Sequence, residues 1–473
     1  MRKLALAALA FTAVATTTLA MPRDAEACGG CFAPPETPTV VTDHRMILSI
    51  SKDQSTLYDQ IKYSGAPESF AWVLPISGTV TVGLSSDAVF QTLDGYTQTQ
   101  VLPPPRNCPS PPNSCSRGGA TNASGAAFDE SGGGVTVNSR QVVGPYDTVQ
   151  LSATDPAALA NWLSQNGFSV PAGIQPVIDT YVGEHFDFLA LKLLPGKGVQ
   201  DMRPVRVTTP GANAVLPLRM VAAGTGSTVG ISLWVVGEGR YEPQNFPTFM
   251  VEASELSWDW TQNKSNYVDI RAQKTTAGAG RAWEIENSTN VLPQTIQSAV
   301  INGYSYNGSG PYPQTEEDRA QQSYLPITDA NGAVVKTAVQ VRQEDLDTLF
   351  HGIPSAATRV TRLRADVAHA ALDADLVMSA SQKQDVLATT RQVTKELNQP
   401  ICPVYNGCDQ VGTAPRDEAN FRSTTTTGGT TACSTSIPTT GSSNAWLGVG
   451  LGAFAVALGK VVRARARRAP PRS

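Results

Sequence analysis

HRMILSIS (His44 to Ser51), LYDQIKY (Leu57 to Tyr63) and FAWVLPI (Phe70 to Ile76) decide the fold. In the first run Met46, Leu48 and Ile50 take alternate positions, the period of a half-buried strand. Leu57, Ile61 and Tyr63 share one face of the second run, after a polar turn from Lys52 to Thr56. The third run is apolar throughout, follows Gly65-Ala66-Pro67, and carries Pro75 near its end, where a strand tolerates proline. Three short strands with tight connections predict an antiparallel meander.

Outward from this meander the same signals recur. Ser85 to Leu93 fits a short helix. Leu102 to Gly134 is rich in Pro, Gly, Ser and Asn and is expected to be a surface excursion, and Val135 to Ser152 returns to strand pattern. Thr154-Asp155-Pro156 supplies a cap and a first-turn proline for a helix over Ala157 to Gln165, stopped by Gly167. Ile174 to Val182 suits a second helix. Strands are expected at His185–Leu194, Pro204–Thr209, Val215–Ala223 and Gly230–Val236. Asn331-Gly332 marks a hairpin within Leu325 to Val341. Leu346 to Asn398 is expected to be helical, from Val360, Leu363, Val367 and Leu372, with Arg359, Arg362 and Arg364 on a solvated face or in local ion pairs.

The fold class is therefore α+β: a mainly antiparallel β-sheet ectodomain with a few helices, a C-terminal helical segment and a single membrane-anchor helix. The 473 residues suit two domains, 28–200 with the excursion at 102–134, and 201–415 ending in helices over 346–398.

Both ends point away from the cytoplasm. Arg2 and Lys3, the apolar stretch Leu4 to Ala20 and Ala25-Glu26-Ala27 form a secretory signal over residues 1–27, with Cys28 as the mature start. A Thr/Ser/Gly-rich linker over 416–444 precedes an apolar run at 445–462, and a basic tail over 463–473 holds five arginines: Arg463, Arg465, Arg467, Arg468 and Arg472. The arginines place the tail inside and the rest outside, with the membrane as a partner. The run is short against the ~20 residues that span a bilayer, so a removable sorting segment is the alternative to a permanent span.

Six of the seven cysteines fall in close pairs, Cys28 with Cys31, Cys108 with Cys115, and Cys402 with Cys408, which in an exported chain suggests local disulfides. Cys433 is left over in the linker, a candidate for processing or lipidation. Cys28-Gly-Gly-Cys31 also spells a redox motif. It has no preceding strand, and Phe32-Ala33-Pro34-Pro35 does not start the helix that would lower a thiol pKa, so a structural bridge is preferred.

The formal charge of −4 conceals an acidic ectodomain, and no basic stripe lies outside the tail, which argues against nucleic acid. The four histidines form no metal-binding pair, and no phosphate loop or nucleophile elbow is present, so no metal or cofactor is expected. His44 beside Asp43, and His185 beside Glu184 and Asp187, are weak candidates for a general base that would need a Ser or Cys brought close by the fold. The aromatic-rich stretch Glu242 to Thr289 suits sugar stacking or, more commonly, packing in a β-core.

The blocks Cys28-Gly-Gly-Cys31, HRMILSIS, LYDQIKYSGAPESFAWVLPISG (57–78), DPAALANWLSQNGF (155–168), FDFLALKLLPG (186–196), LPLRM (216–220) and VTRLRADVAHAALDADL (360–376) resemble the bacterial family called domain of unknown function 2330, over roughly Cys28 to Ser381. The resemblance implies an exported envelope protein and carries over no catalytic residue. Cys433-Ser434, the spacer, the short span and the arginines resemble three-part C-terminal sorting signals, although Cys433 stands further from the span than such signals place it. The expected function is a non-enzymatic envelope module that binds a protein or glycan. The rival is an envelope hydrolase with a spatially assembled site at His44 or His185.

Overall fold

The computed structural model of the protein describes residues 31–32, 40–64, 71–110 and, with breaks of a few residues, 141–303 and 315–419. The expected signal at 1–27, Cys28, Cys115, Cys408, Cys433, the apolar run and the basic tail lie outside the described residues. Among the described residues no helix is long and apolar enough to cross a membrane.

The first part of the chain forms strands β1 (Cys31–Phe32), β2 (Val40–Ile50), β3 (Gln54–Ser64), β4 (Ala71–Ile76) and β5 (Thr81–Leu84), then helix α1 (Asp87–Thr97) and β6 (Gln100–Leu102). Next come β7 (Gln141–Val143), β8 (Tyr146–Leu151), α2 (Pro156–Gln165), α3 (Gln175–Gly183), β9 (Asp187–Leu193), β10 (Val205–Pro210), β11 (Val215–Leu216) and α4 (Leu218–Val221). The third stretch holds β12 (Thr228–Glu238), β13 (Tyr241–Pro243), β14 (Thr248–Phe249), β15 (Ser257–Asp259), β16 (Lys264–Ser265), α5 (Tyr267–Ala277), β17 (Trp283–Asn290) and α6 (Pro293–Asn302). The last comprises α7 (Glu316–Ala320), β18 (Ile327–Thr328), β19 (Val334–Lys336), α8 (Ala338–Leu349), β20 (Thr358–Ala368), β21 (Leu376–Ala380), β22 (Thr390–Gln392), β23 (Lys395–Glu396), β24 (Ile401–Asn406) and β25 (Asp409–Pro415).

The meander materialises only in part. β2 and β3 pair antiparallel, with Met46 opposite Asp59 and Leu48 opposite Leu57. β4 leaves them and pairs with β9 in a separate five-stranded sheet, ordered β1-β4-β9-β8-β7. β2 instead takes β12 as a parallel neighbour, so the eight-stranded sheet, ordered β14-β17-β20-β12-β2-β3-β10-β5, is mixed. Its strands come from both sides of the expected 200/201 boundary, which therefore does not separate two sheets.

The stretch 346–398, expected to be helical, has strands and loops in place of helix after Leu349, apart from one short 3-10 turn at His369–Ala371. α8 ends at Leu349, and Thr358 to Ala368 pairs along its whole length with β12. Val360, Leu363 and Val367 satisfied a helical spacing, but the competing feature won: eleven residues rich in Val, Thr and Arg beside a central strand have a ladder to join. Val215 to Ala223 likewise divides into the two-residue β11 and the short α4. The expected helices near 85–93, 157–165 and 174–182 are α1, α2 and α3. Ser86 caps α1 by accepting the Ala88 amide.

The eight-stranded sheet is buried on both faces. Met46, Leu48, Ile50, Ile231, Leu233, Val235, Leu363 and Ala365 share one face, in a cluster with α2, α3 and α4. Ile47, Tyr58, Trp234 and Val360 share the other, against α1, α6 and α8. Beside the first face, β4 packs Trp72, Leu74 and Ile76 onto Val205 and Val207 of β10.

The local pairing of Cys108 with Cys115, and of Cys402 with Cys408, is overturned. Cys108 is bonded to Cys402, 294 residues away, with Cα atoms 5.4 Å apart. β6 runs parallel to β22, the Val393 amide donates to Leu102 O, and the Gln392 side chain donates to Pro103 O, so the chain before Cys108 already lies along the chain before Cys402. Because loop-closure entropy grows only slowly with length, spacing in sequence loses to such preorganisation.

Candidate functional site

The strongest candidate is the cleft where β3 and β10 of the large sheet face β4 of the smaller one. Strand alternation builds one wall, since Leu48, Leu57 and Val207 fall on the same face as His44 and Asp59. Leu74, Pro75 and Ile76 of β4 form the other, and Phe186, Val215 and Pro217 add further apolar surface. The cleft measures about 410 Å³, within the ~300–1,000 Å³ range of ligand pockets.

Five polar residues, Ser55, Ser77, Thr209, Asn213 and Asp375, share the lining, and three of them are engaged within the fold: the Asn213 side chain accepts the Val215 amide (3.1 Å). The Ser55 hydroxyl donates to Gly211 O (3.0 Å) and accepts the Asn213 amide (2.6 Å), which fixes the turn into β11. Asp375 accepts the Tyr181 hydroxyl (2.5 Å), the Arg219 amide (3.1 Å) and an Arg219 guanidinium N–H (2.6 Å). Arg219 also binds Glu184 through two hydrogen bonds and sits 4.3 Å from the centre of the Tyr181 ring. Burial and the Asp375 carboxylate push the Tyr181 phenol far above its ordinary range, so it stays a donor. The hydrogen bonds from Arg219 hold Glu184 below the usual carboxylate range. The rim of the cleft is a locked ion-pair cluster.

A second, small cavity of about 20 Å³ shares Leu57, Leu74 and Pro217 with the cleft and is also lined by Asp59, Met46 and Trp72. It has room for about one water molecule. His44, the sequence candidate, lines neither cavity but reaches this one through Asp59: its Nδ1 is 3.2 Å from Oδ1 of Asp59, and both side chains are buried. The carboxylate is Asp59 on the neighbouring strand, not the adjacent Asp43, which strand alternation sends to the opposite face. The Nε2 of His44 has no hydrogen-bond partner among the described residues. Its partners in register are Ile61 and Ile231. Ser55 stands opposite Ile50, six residues along β2 from His44, or about 20 Å at the strand rise. The geometry orients an imidazole and supplies no nucleophile in register with it.

His185 is elsewhere. It is exposed, with φ +66°, where the chain leaves α3: the Phe186 amide bonds Tyr181 O and the His185 amide bonds Val182 O. It closes a helix C-terminus in the left-handed conformation.

Two buried carboxyl centres lay beyond the sequence reading. On α8, Asp345 is fully buried. Ser85 (2.7 Å) and Tyr324 (3.0 Å) donate to its Oδ2, while Arg206 lies 3.8 Å from Oδ1 and bonds Glu344 and Thr348. Burial outweighs the pull of Arg206 and raises this carboxyl to about 6. On β17, Glu284 accepts the Tyr267 hydroxyl (2.6 Å), and burial, with the Glu286 carboxylate, raises it to about 7. Neither lines the cleft. Acidic residues inside polar stretches gave no sign that helices would cover them.

Arg359 and Arg362 correct the expectation of a solvated face, because both are buried on β20. Arg362 forms ion pairs with Asp94 of α1 and with Glu286. Arg45 and Arg362 lie 5.2 and 5.1 Å from the Trp234 ring centre. The aromatic-rich stretch packs: Trp283 and Trp258 are buried, and Trp258 meets Trp260 edge to face.

A model of the family described as "Uncharacterized protein conserved in bacteria (DUF2330)" matches residues 22–300. No curated protein and no solved structure matches the chain. The match runs from before β1 into α6 and so covers both walls of the cleft, the His44–Asp59 pair and Arg219, but stops before Asp375 and the α7–β20 region. The chain belongs to this uncharacterised bacterial family, DUF2330.

Proposed function

We propose that this chain is an exported, membrane-anchored cell-envelope protein that binds, without turning over, a small and mainly apolar ligand in the cleft between its sheets. The observation that carries the binding role is the cleft itself: leucine, valine and proline walls with a few neutral polar side chains (Ser55, Ser77, Thr209 and Asn213), and Asp375 as its one charged lining residue, already paired with Arg219. Export rests on the signal-like residues 1–27 and on the long-range Cys108–Cys402 bridge, a bond characteristic of oxidising compartments. Anchoring rests on the apolar run at 445–462 and the arginines behind it.

The test is titration of the purified protein with the apolar fluorophore N-phenyl-1-naphthylamine. Wild type gives saturable, one-to-one enhancement. Leu57→Trp, which fills both cavities, reduces it at least tenfold while circular dichroism is retained. Enhancement unchanged in that variant removes the cleft as the binding site.

One observation favours a second reading. A histidine held by a carboxylate supplies two of the three members of a hydrolytic triad, so an envelope hydrolase is the rival. Release of nitrophenol from p-nitrophenyl butyrate that disappears in His44→Gln would replace binding by catalysis.

A further inference from the structure

We infer that a second groove, on the helix-covered side of the large sheet, is a subsite for an uncharged saccharide. It lies between α1 and α6 and measures about 510 Å³. α1 turns Val89, Phe90 and Leu93 to the sheet. A separate stripe, Ala88, Gln91, Thr92, Gly95 and Tyr96, lines the groove. Its spacing of i, i+3, i+4, i+7 and i+8 marks one helical face, and beyond Ala88, which packs against the core, the described residues leave it facing the open groove. Ala299, Val300 and Gly303 of α6 and Gln322 and Ser323 beyond α7 complete the lining.

Three observations point to a sugar. First, the hydrogen-bonding groups are neutral: the amides of Gln91 and Gln322 and the hydroxyls of Thr92, Ser323 and Tyr96. None of these side chains makes a hydrogen bond among the described residues. Amides and hydroxyls both donate and accept, which matches a polyol's own groups. Second, the neighbouring carboxylates are spent elsewhere: Asp87 accepts from Gln60, and Asp94 accepts from Arg362. A groove lined by no Lys, Arg, Asp or Glu has nothing with which to hold phosphate, nucleic acid or a charged peptide. Third, Tyr96 is 45% exposed and offers an aromatic face beside these groups.

Gly95 sharpens the argument. A glycine inside a helix costs about 1 kcal/mol relative to alanine. No atom lies within 4 Å of where its Cβ would stand, so close packing does not require it. What the missing side chain leaves is open space at the centre of the stripe. This groove is separate from the intersheet cleft and shares no lining residue with it.

The test is saturation-transfer difference NMR of the full chain with cellopentaose, maltopentaose and N,N′,N″-triacetylchitotriose, and with a sulfated maltopentaose as the charged control. At least one neutral sugar is expected to bind, with at least tenfold weaker affinity in both Tyr96→Ala and Gly95→Leu. Gly95→Leu fills the groove while favouring the helix, so its melting temperature should equal or exceed that of wild type, which separates loss of binding from loss of fold. Leu57→Trp should leave sugar binding unchanged. No transfer to any neutral sugar, transfer indifferent to both groove variants, or binding of the sulfated sugar alone overturns the proposal.

Discussion

The two faces of the eight-stranded sheet are made by the same strands and are equally buried, yet they are built from opposite chemistry. One face is mainly aliphatic, with the His44–Asp59 pair and, at the end of β20, Arg359 as its charged exceptions among the described side chains, and it opens into a cleft. The other places Arg45, Arg206, Arg362, Tyr58 and Trp234 beneath α1, α6 and α8. There the buried arginines meet partners supplied by helices, Asp94 for Arg362 and Glu344 for Arg206, and Arg362 also pairs with Glu286 on the neighbouring strand. Aliphatic packing tolerates a gap that a ligand can fill. A face of ion pairs does not, because a buried charge that loses its partner costs several kcal/mol. The difference explains why the candidate ligand cleft opens on the first face, and why the groove on the second lies outside the helices rather than beneath them.

The sharpest way to break this comparison is to remove the centre of each face in turn. Trp234→Ala should cost about 5 kcal/mol, at the top of the ~3–5 range for such truncations, because the ring is fully buried and stacked by two guanidinium groups. Leu233→Ala, its sequence neighbour on the aliphatic face, should cost about 3 kcal/mol. Urea denaturation midpoints measure both. A larger loss from Leu233→Ala would mean that the aliphatic face carries the fold.

The charged face also makes a pH prediction. Glu284 has its carboxyl raised to about 7 in the fold, against an ordinary value of 4.5. A raised carboxyl stabilises fully below its unfolded value, and the contribution is lost as pH rises through the folded value. Between pH 4.5 and 7 stability should therefore fall with rising pH, by about 3 kcal/mol from this group. Glu284→Gln keeps an acceptor for Tyr267 and should flatten most of that slope, leaving the smaller part due to Asp345. Denaturation of both proteins between pH 4 and 8 checks it. Parallel slopes would show that Glu284 does not carry the dependence.

How much was legible in the sequence follows the same division. Alternation in HRMILSIS and the unbroken apolar run over Ala71 to Ile76 identified buried strands correctly, because both patterns belong to the strand itself. It said nothing reliable about the residues between them. Arg362 at an alternate position suggests solvent unless a helix covers it, and whether α1 does so is settled by contacts 268 residues apart. The same holds for Cys108 and Cys402, and for β4, which left the meander for a partner beyond residue 186. Local signals located α1, α2, α3 and the strands β2 to β4, β9 and β12, and missed β20. Which faces are covered, and therefore where the clefts are, depends on non-local pairing. His44 was found, but its carboxylate partner was not.

That partner gives the smallest and most discriminating test. A buried histidine and aspartate on an aliphatic face are an expensive way to fill space, and leucine at both positions would suit the surroundings. Single changes should destabilise: His44→Leu leaves the Asp59 carboxylate buried without its partner, by about 3 kcal/mol, and Asp59→Leu leaves an imidazole unpaired, by about 1–3. The double variant His44→Leu/Asp59→Leu should recover to within about 1 kcal/mol of wild type, since well-packed apolar replacements of buried polar pairs are often neutral or better. A thermodynamic cycle from thermal unfolding measures the coupling. Recovery means that the fold does not need the pair, and the reason for keeping it must lie in the cavity that Asp59 lines. A double variant as unstable as the sum of the singles would instead make the pair a structural strut, and the aliphatic face would then resemble the charged one, held by its polar contacts rather than open beside them.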